Sequence, residues 1–308
     1  MPRKRRGQPL HGWIILDKPL GLSSGHAVAR VRRALDAAKA GHGGTLDPLA
    51  TGILPIALGE ATKTVAYAMA GRKVYRFTAR WGEARSTDDA EGAVIAESPL
   101  RPDRAAVLAV LPRFTGRIEQ RPPDFSALKV AGARAYALAR EGDAPALAPR
   151  PVEIDRLELV AMADADHAVF EAEVGKGTYI RALARDLGAA LGCLAYVSEL
   201  RRTRVGPFAL DRAISLENLA ALGHSAPTSG HLLPVETALD DIPALALTEA
   251  EAEALRCGQA VTRLRPSDRA CIDQFEDGTT IRATSEGRLV ALAAIDKGLI
   301  RPVRVLNL

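Results

Sequence analysis

The sequence predicts an α/β fold: a large domain that mixes strands with helices, followed by a small β-rich domain. In two places, a segment with the composition of a strand precedes a segment whose apolar residues recur at helical spacing. Towards the C-terminal end, short β-rich runs are separated by Gly and Asp, as in a small β domain. A chain of 308 residues, 47% of them hydrophobic, is long enough to bury the cores of both domains.

The first predicted elements are a tail, a strand and a helix. Residues 1–10 contain the basic run Arg3 to Arg6 and are expected to form a disordered tail. Residues 11–22, HGWIILDKPLGL, predict a buried strand that ends in a Pro/Gly turn. Ser23 or Ser24 can then cap a helix. Its apolar positions at helical spacing are Val28, Val31, Leu35 and Ala38.

The middle of the chain alternates loops with strands. GHGGTLDPLATG, Gly41 to Gly52, is a predicted loop. KVYRFTARWG, Lys73 to Gly82, has the aromatic and β-branched content of a strand, and STDDAEG, Ser86 to Gly92, is a polar turn. Residues 120–154 have prolines at both ends and a helical middle, which indicates an excursion from the core.

A second strand and helix follow the excursion. From Phe170 to Val174 apolar residues alternate with Glu, as on a half-buried strand, and Gly175 to Gly177 then turns the chain. Thr178 can cap the next helix, on which Arg181 and Arg185 share one face. Its apolar stripe consists of Ile180, Leu183, Ala184, Leu187 and Leu191.

The last quarter of the chain predicts a linker and the small domain. Residues 225–243 are rich in Pro, Ser, Gly and Asp, as linkers are. Thr248 and Glu251 can form a capping box for a short helix that ends near Gly258. The β-rich runs that follow are ACIDQF, TTIRATS, RLVALAAI and RPVRVLNL.

Arginine dominates the basic residues. The formal net charge is +4, and the 41 basic residues include only eight lysines. The planar fork of arginine suits phosphates and stacked bases, so the composition is compatible with a nucleic-acid partner. Genomic codon bias would leave the same excess, and charge alone does not separate the two interpretations.

The three cysteines indicate a reducing compartment. Cys193, Cys257 and Cys271 are widely spaced and odd in number, so they form neither a disulfide framework nor a CxxC metal pair. The apolar run Trp13 to Leu16 is too short for a signal peptide, and no run is long enough to span a membrane. We therefore expect a cytoplasmic protein.

Asp47 is the residue with the most informative surroundings. A lone loop aspartate is usually a turn former, because its side chain bonds to nearby backbone groups. Here the loop is rich in glycine, which lets backbone approach a ligand closely, and Pro48 stiffens the chain directly after the carboxylate. A rigid mount of this kind suits a nucleophile.

Three chemistries use a single loop aspartate. An aspartyl-phosphate phosphotransferase needs Mg²⁺ and a second aspartate two residues on, but Leu49 occupies that position. A glycosidase needs a second carboxylate. Asp88, Asp89 or Glu91 could supply it, although their polar turn predicts that they are solvated. The third chemistry, rearrangement of a nucleotide's glycosidic bond, needs an ionised aspartate, a ring to stack on the base and a cation beside the carboxylate.

Five motifs, in the same order, resemble the TruB family of bacterial tRNA pseudouridine synthases. They are GWIILDKPLGLSS, GHGGTLDPLATGILPIALGEATK, KVYRF, QRPPDFSALKVAGARAY and GKGTYIRALARDLG. The resemblance covers about Gly12 to Phe208, and the C-terminal end resembles the family's PUA-like domain more loosely. It implies a mixed, largely antiparallel sheet, a catalytic domain over residues 11–240 and a PUA-like RNA-binding domain over residues 245–308.

The resemblance implies a reaction: isomerisation of uridine 55 to pseudouridine in the T loop of tRNA, after the base is flipped out of its stack. Asp47 matches the catalytic aspartate, which attacks either the ribose or the uracil ring. Tyr75 matches the tyrosine that stacks on the target base, and Arg181 matches the arginine paired with the aspartate. A guanidinium in that position would help to keep the nucleophile charged.

The resemblance also implies binding roles. Tyr179 and Leu200 match residues that line the uracil pocket, and His42 matches the histidine that enters the T loop beside the extruded nucleotide. Without the resemblance, each of these three residues would be interpreted as a packing residue or an exposed residue. Lys18 lies in the family's DKP motif, and its role stays open between packing and phosphate contact.

The implied partner is tRNA, through its T loop and stem. The insertion at about residues 125–150, with Lys129, Arg134 and Arg140, matches the family's RNA-gripping insertion. We expect a monomer with no metal and no organic cofactor, since six scattered histidines and unclustered cysteines supply no metal-site spacing. The alternative is a non-catalytic tRNA-binding or RNA-folding protein in which Asp47 is structural.

Overall fold

The computed structural model describes residues 7–126, 128–130, 133–135, 139, 147–223, 230–262 and 276–308. The strands, β1 to β19, are Gly12–Lys18, Ala40–His42, Ala50–Leu58, Lys73–Trp81, Glu83–Arg85, Val94–Glu97, Gly116–Gln120, Lys129–Val130, Ala133–Arg134, Arg150–Met162, His167–Val174, Ala195–Val205, Phe208–Ala209, Leu232–Leu233, Ala244–Ala246, Val261–Thr262, Thr280–Ser285, Arg288–Asp296 and Leu299–Val305. The α-helices, α1 to α6, are Ser24–Ala34, Val65–Ala70, Arg104–Val110, Ile180–Ala190, Leu216–Leu222 and Glu249–Arg256.

One large mixed sheet forms the first domain. Within the described residues its main path runs β14-β1-β3-β12-β4-β11-β10-β7, with β2 and β13 paired to β3 and β12. Along this path neighbouring strands are antiparallel except β3 and β12, which run parallel. The predicted mixed, largely antiparallel sheet is therefore confirmed.

Aromatic residues on alternate positions hold the middle of the sheet together. Phe77 on β4 and Phe170 on β11 stack with their ring centroids 5.2 Å apart, and Trp81 meets Phe170 edge-on at 6.2 Å. The predicted apolar stripe of α4 is buried against them, apart from half-buried Leu191 at the end of the helix. Because α4 packs on β12 and β4, its first turn lies beside the middle of the sheet.

A separate five-stranded sheet forms the small domain. Its order is β15-β17-β18-β19-β16, and α6 packs against it. The predicted capping box is present: Thr248 Oγ1 accepts from the Glu251 N–H, and the Glu251 carboxylate accepts from the Thr248 N–H. Three leucines of this domain share a core with Trp13 and Phe208 of the first domain: Leu289, Leu292 and Leu306.

The prediction of a linker over residues 225–243 is wrong where the structure describes that stretch. Strand β14 pairs with β1, and Val235 and Leu239 are buried. Pro, Ser, Gly and Asp account for eight of the nineteen residues, but seven others are apolar, and the buried ones among these anchor the stretch to the core. Residues 224–229 lie outside the described residues.

Local boundaries also differ from the predictions. Strands β2 and β3 take up both ends of the predicted loop and leave a loop at 43–49. Ser23 caps α1 by accepting from the His26 N–H, whereas the residue that caps α4 is Tyr179, not Thr178, and its side chain makes no capping bond. The Gln8 N–H donates to a backbone carbonyl in the turn after α1, so the expected tail stops short of that residue.

Several predictions fall on undescribed residues. These are the tail at 1–6, the run ACIDQF with Cys271, Arg140 and most of the helical middle of the excursion. The side chains of Lys129 and Arg134 are likewise undescribed, although their backbones form the β8–β9 hairpin. Among the helices that the structure does describe, none has the length and apolarity needed to cross a bilayer.

Buried polar side chains fix the 43–49 loop. The fully buried Lys18 donates from Nζ to the Pro48 carbonyl at 3.2 Å and to two carbonyls of its own turn. The Ser24 hydroxyl donates to the Leu46 carbonyl and accepts from the Leu46 N–H, each at 2.8 Å. Of the two roles left open for Lys18, packing fits its burial and phosphate contact does not.

Arg202 on β12 holds the same loop from the other side. It is 1% exposed and donates from Nη2 to the Gly44 carbonyl at 3.1 Å and from Nη1 to the Thr45 carbonyl at 3.2 Å. Gly52 lets β3 approach closely, because a Cβ there would lie 2.2 Å from the Arg202 carbonyl oxygen and its φ is +97°. The loop is thus tied to β1, α1 and β12.

The buried Lys18 predicts a pH dependence of stability. Burial lowers its pKa from 10.5 to about 8, although the negative charge of Asp47 favours the protonated form. Between these two values the unfolded chain, with an ordinary lysine, binds more protons than the folded chain. The free energy of unfolding contributed by Lys18 should therefore rise with pH across this window.

The Lys18→Met variant should lack that rise. Lys73, whose pKa burial also lowers to about 8, is present in both proteins and contributes equally to both. Urea unfolding of wild type and variant across the window measures the two slopes. If the free energies of unfolding of the two proteins change in parallel with pH, the lowered pKa is not that of Lys18, even where the two curves are offset.

Candidate active site

A cavity of about 260 Å³ opens between the 43–49 loop and the start of α4. Strands β4 and β12, which are neighbours in the sheet, supply Tyr75 and Leu200 to its wall, and the turn before α4 supplies Tyr179. Asp47 and Arg181 complete this part of the lining. The fold thus brings together these five predicted site residues from four distant parts of the chain.

Asp47 and Arg181 form an ion pair in the cavity wall. Asp47 Oδ2 lies 3.0 Å from Arg181 Nε. The N–H of Nε does not point along this line, so the contact is electrostatic rather than an aligned hydrogen bond. The Arg181 side chain is 7% exposed and that of Asp47 is 38% exposed, which leaves the carboxylate open to the cavity.

Arg181 is held in place by its other nitrogens. Nη1 donates to the Thr87 carbonyl and Nη2 to the Phe125 carbonyl, each at 2.9 Å. Nη1 also lies 3.5 Å from Asp89 Oδ2. The guanidinium therefore contacts two carboxylates and two carbonyls, which a planar fork with five N–H groups can do.

The expectation that the polar turn at residues 86–92 is solvated is wrong for Asp89. This residue is 7% exposed, and its Oδ1 accepts from Thr87 Oγ1 at 2.6 Å and from the Glu91 N–H at 3.0 Å. Asp89 is buried because its part of the turn docks against the charged face of α4, where Arg181 lies. Glu91 itself is exposed, as expected.

Asp88 is paired as well. Arg185, one turn after Arg181 on α4, donates from Nη1 to Asp88 Oδ2 at 2.7 Å. Burial raises the pKa of Asp88, although the Arg185 guanidinium opposes the shift. The predicted common face of the two arginines on α4 therefore meets two aspartates of the turn.

Both apolar and charged side chains line the cavity. Tyr75, Tyr179 and Leu200 are half-buried and line it, so each can lose further surface to a ligand. Lys73 also lines the cavity, and its Nζ donates to the Gly71 carbonyl at 2.6 Å. A flat heteroaromatic ring with polar edges suits such a lining.

His42 does not line this cavity. It lies at the end of β2, in the wall of an adjoining cavity of about 690 Å³. Asp47 and Arg181 line both cavities, so the ion pair separates them. His42 therefore lies near the other predicted site residues, on the far side of the ion pair.

Sequence reasoning missed Arg202 and the burial of Asp89. A signal for Arg202 was present, because residues two apart on a strand share a face and Leu200 was already predicted to line the pocket. No signal distinguished Asp89 from its neighbours in the polar turn. Within the described residues no three His, Cys, Asp or Glu side chains cluster as metal ligands would.

Two family models match the chain. Residues 32–180 match the "TruB family pseudouridylate synthase (N terminal domain)", and residues 181–240 match the "tRNA pseudouridylate synthase B C-terminal domain". The chain is 54% identical over 308 residues to tRNA pseudouridine synthase B of Rhodospirillum rubrum, covering all of both chains. It is 56% identical over 310 residues to the protein of that name from Bradyrhizobium diazoefficiens, covering 99% of this chain and 88% of the relative.

Solved structures share the fold. A chain from "Structure of H/ACA RNP bound to a substrate RNA containing 2'-deoxyuridine" is 23% identical, with a TM-score of 0.73 over 100% of this chain and 92% of that one. A chain from "Crystal Structure of a Cbf5-Nop10-Gar1 Complex" is 26% identical, with a TM-score of 0.72 over 96% of this chain and 84% of that one. The full-length likeness to the curated relatives decides the family: the chain belongs to the TruB family of tRNA pseudouridine synthases, isomerases that form pseudouridine in tRNA.

Proposed function

We propose that the chain converts uridine 55 in the T loop of tRNA to pseudouridine, with Asp47 as the catalytic nucleophile. The observation that carries the proposal is the 3.0 Å contact between Asp47 Oδ2 and Arg181 Nε in the wall of a cavity that Tyr75 also lines. Relatives at 48% to 56% identity named tRNA pseudouridine synthase B support the tRNA substrate.

The reaction needs no co-reactant, because uridine and pseudouridine are isomers. The bond from ribose C1′ to N1 of the base breaks, a bond from C1′ to C5 forms, C5 gives up its proton and N1 takes one up. Asp47 would take part as a covalent nucleophile, either at the ribose or at the uracil ring. Arg181 aims the carboxylate and favours its ionised form.

The target base has to leave the stack of the T loop to reach Asp47. Extrusion costs a few kcal/mol, roughly, for unstacking and unpairing. Stacking on the Tyr75 ring and burial against Tyr179 and Leu200 would offset part of this cost. A cavity of about 260 Å³ has room for one base.

The regions around the cavity would bind the rest of the tRNA. We assign His42 to the space left in the T loop beside the extruded nucleotide, since it lines the adjoining cavity. The insertion at about residues 125–150 would grip the T stem and loop. The β-rich domain over residues 245–308 would act as a PUA-like RNA-binding domain, with residues 11–240 as the catalytic domain.

Asp47→Asn should abolish catalysis without abolishing binding. The amide is nearly isosteric with the carboxylate but is not a nucleophile, so the single-turnover rate on tRNA should fall by at least about 10³-fold. The tRNA dissociation constant should stay within about threefold, because phosphate contacts dominate the affinity. Tritium release from C5-labelled tRNA and filter binding measure the two quantities.

A matched control is Asp211→Asn, which removes an exposed carboxylate that lines neither cavity. It should keep the wild-type rate. Conversion by the Asp47 variant at the wild-type rate would overturn the catalytic assignment and leave Asp47 as a structural residue.

Arg181→Lys should lower the rate constant more than the affinity. Lysine keeps the charge but cannot bridge Asp47, Asp89 and two carbonyls at once. Because the Asp47 carboxylate would no longer be held in its productive orientation, the single-turnover rate should fall on the order of 10²-fold. Arg185→Lys, one turn along the same helix, is the control and should cost much less; equal losses in the two variants would contradict the assignment.

The position in tRNA is tested in cells. A deletion strain should lose pseudouridine at the T-loop uridine and keep it at other positions, as read by pseudouridine sequencing of total tRNA. Loss at a different site, or retention in the T loop, would contradict the proposed target. Complementation with the Asp47→Asn gene should leave the T-loop site unmodified.

A further inference from the structure

The two residues that bracket the insertion meet in the sheet. Gln120 is the last residue of β7 and Arg150 is the first residue of β10, and their Cα atoms are register partners. The chain leaves the sheet after one of them and returns at the other. Both side chains point to the same neighbour, Tyr179.

Gln120 bonds to both sides of the Tyr179 backbone. It is 1% exposed, its Oε1 accepts from the Tyr179 N–H at 2.8 Å and its Nε2 donates to the Tyr179 carbonyl at 3.1 Å. Tyr179 precedes the first residue of α4 and has no side-chain capping bond of its own. Gln120 therefore acts as an external cap that holds the start of this helix.

Arg150 contacts the Tyr179 ring and the turn before it. Its guanidinium carbon lies 5.4 Å from the ring centroid, within the range of a cation–π contact. Its Nη2 donates to the Gly177 carbonyl at 2.6 Å. Ring and backbone of Tyr179 are thus restrained by different residues.

We infer that Gln120 and Arg150 are positioning residues for the reaction: together they fix the Tyr179 ring in the cavity wall and the first turn of the helix that carries Arg181. The inference rests on the proposed function, in which this cavity receives the target uridine. A third contact supports the inference. Arg181 Nη2 donates to the carbonyl of Phe125, which lies five residues after Gln120 in the same segment.

Two other roles give different results. A residue that only stabilises the fold would lower the melting temperature, with normal activity per folded molecule. An arginine that only contacts RNA phosphate would raise the tRNA dissociation constant and reduce its salt dependence, with a normal rate at saturation. A positioning residue lowers the rate at saturation while affinity is kept.

The first experiment compares Gln120→Met, Arg150→Met and Arg150→Lys in the full chain with tRNA. We expect single-turnover rates at saturating enzyme to fall on the order of 10- to 100-fold in the two methionine variants, since small misplacements near reacting groups cost that much. The dissociation constant should change less than about twofold. Arg150→Lys keeps a cation over the ring and should recover most of the rate.

Arg117→Met is the matched control. Arg117 is an exposed arginine on β7 whose side chain lines a separate groove with Arg72 and Glu153. It should keep the saturated rate. If Arg150→Met instead raises the tRNA dissociation constant and leaves the rate at saturation normal, the inference is overturned for Arg150.

A double-mutant cycle tests whether Arg150 acts through Tyr179. On a Tyr179→Leu background, Arg150→Met should cost clearly less than in the wild-type background, because the ring it positions is gone and only its contact with Gly177 remains. A full additional loss would show that Arg150 acts elsewhere and would overturn the inference. The cycle does not involve Gln120, so it remains informative even if the Gln120→Met variant fails to fold.

The outcomes separate this inference from the proposed function. If Asp47→Asn is inactive while the Gln120 and Arg150 variants keep wild-type saturated rates, the positioning roles fail and the proposed function stands. If Asp47→Asn is active, the proposed function fails, whatever the other variants do.

Discussion

The ion pair between Asp47 and Arg181 is the interaction on which the rest of the site depends. Its partners are far apart in sequence, and the sheet explains how they meet. The Asp47 loop leads into β3, which pairs in parallel with β12, and α4 packs over β12 with Arg181 in its first turn. Within the described residues, the one parallel pairing on the path of this largely antiparallel sheet therefore lies where the carboxylate and guanidinium come together.

A reactive carboxylate has to be aimed without being closed off. Arg181 divides its contacts between Asp47, Asp89 and two carbonyls, so the guanidinium is fixed even though Asp47 takes only one edge of it. The loop is fixed through its backbone by Lys18 and Arg202, and the Asp47 side chain stays open to the cavity. The backbone of the loop is thus held rigid while the Asp47 side chain stays accessible. This combination favours a nucleophile over a structural ion pair.

The sequence predicted those parts of the fold that depend on local periodicity. The stripe on α4 and the alternation on β11 were found because burial there repeats along the chain, and β4 was found from its aromatic and β-branched content. The 225–243 stretch was misread because weight was given to its Pro, Ser, Gly and Asp residues and not to its apolar ones, of which Val235 and Leu239 are buried. Asp89 was missed because its burial depends on partners distant in sequence, which composition and spacing do not reveal, whereas Arg202 was missed although its spacing from Leu200 places the two on one face of β12. Family resemblance placed Asp47 and Arg181 together; periodicity alone gave no reason to pair them.

The most direct test of the central claim is a crystal structure of the Asp47→Asn variant bound to tRNA. We predict that the target uridine is out of the T loop, with its base against Tyr75 and its ribose beside the residue 47 amide, while Arg181 still contacts that side chain. A uridine that remains stacked in the T loop, or one extruded into a different cavity with residue 47 facing solvent, would contradict it.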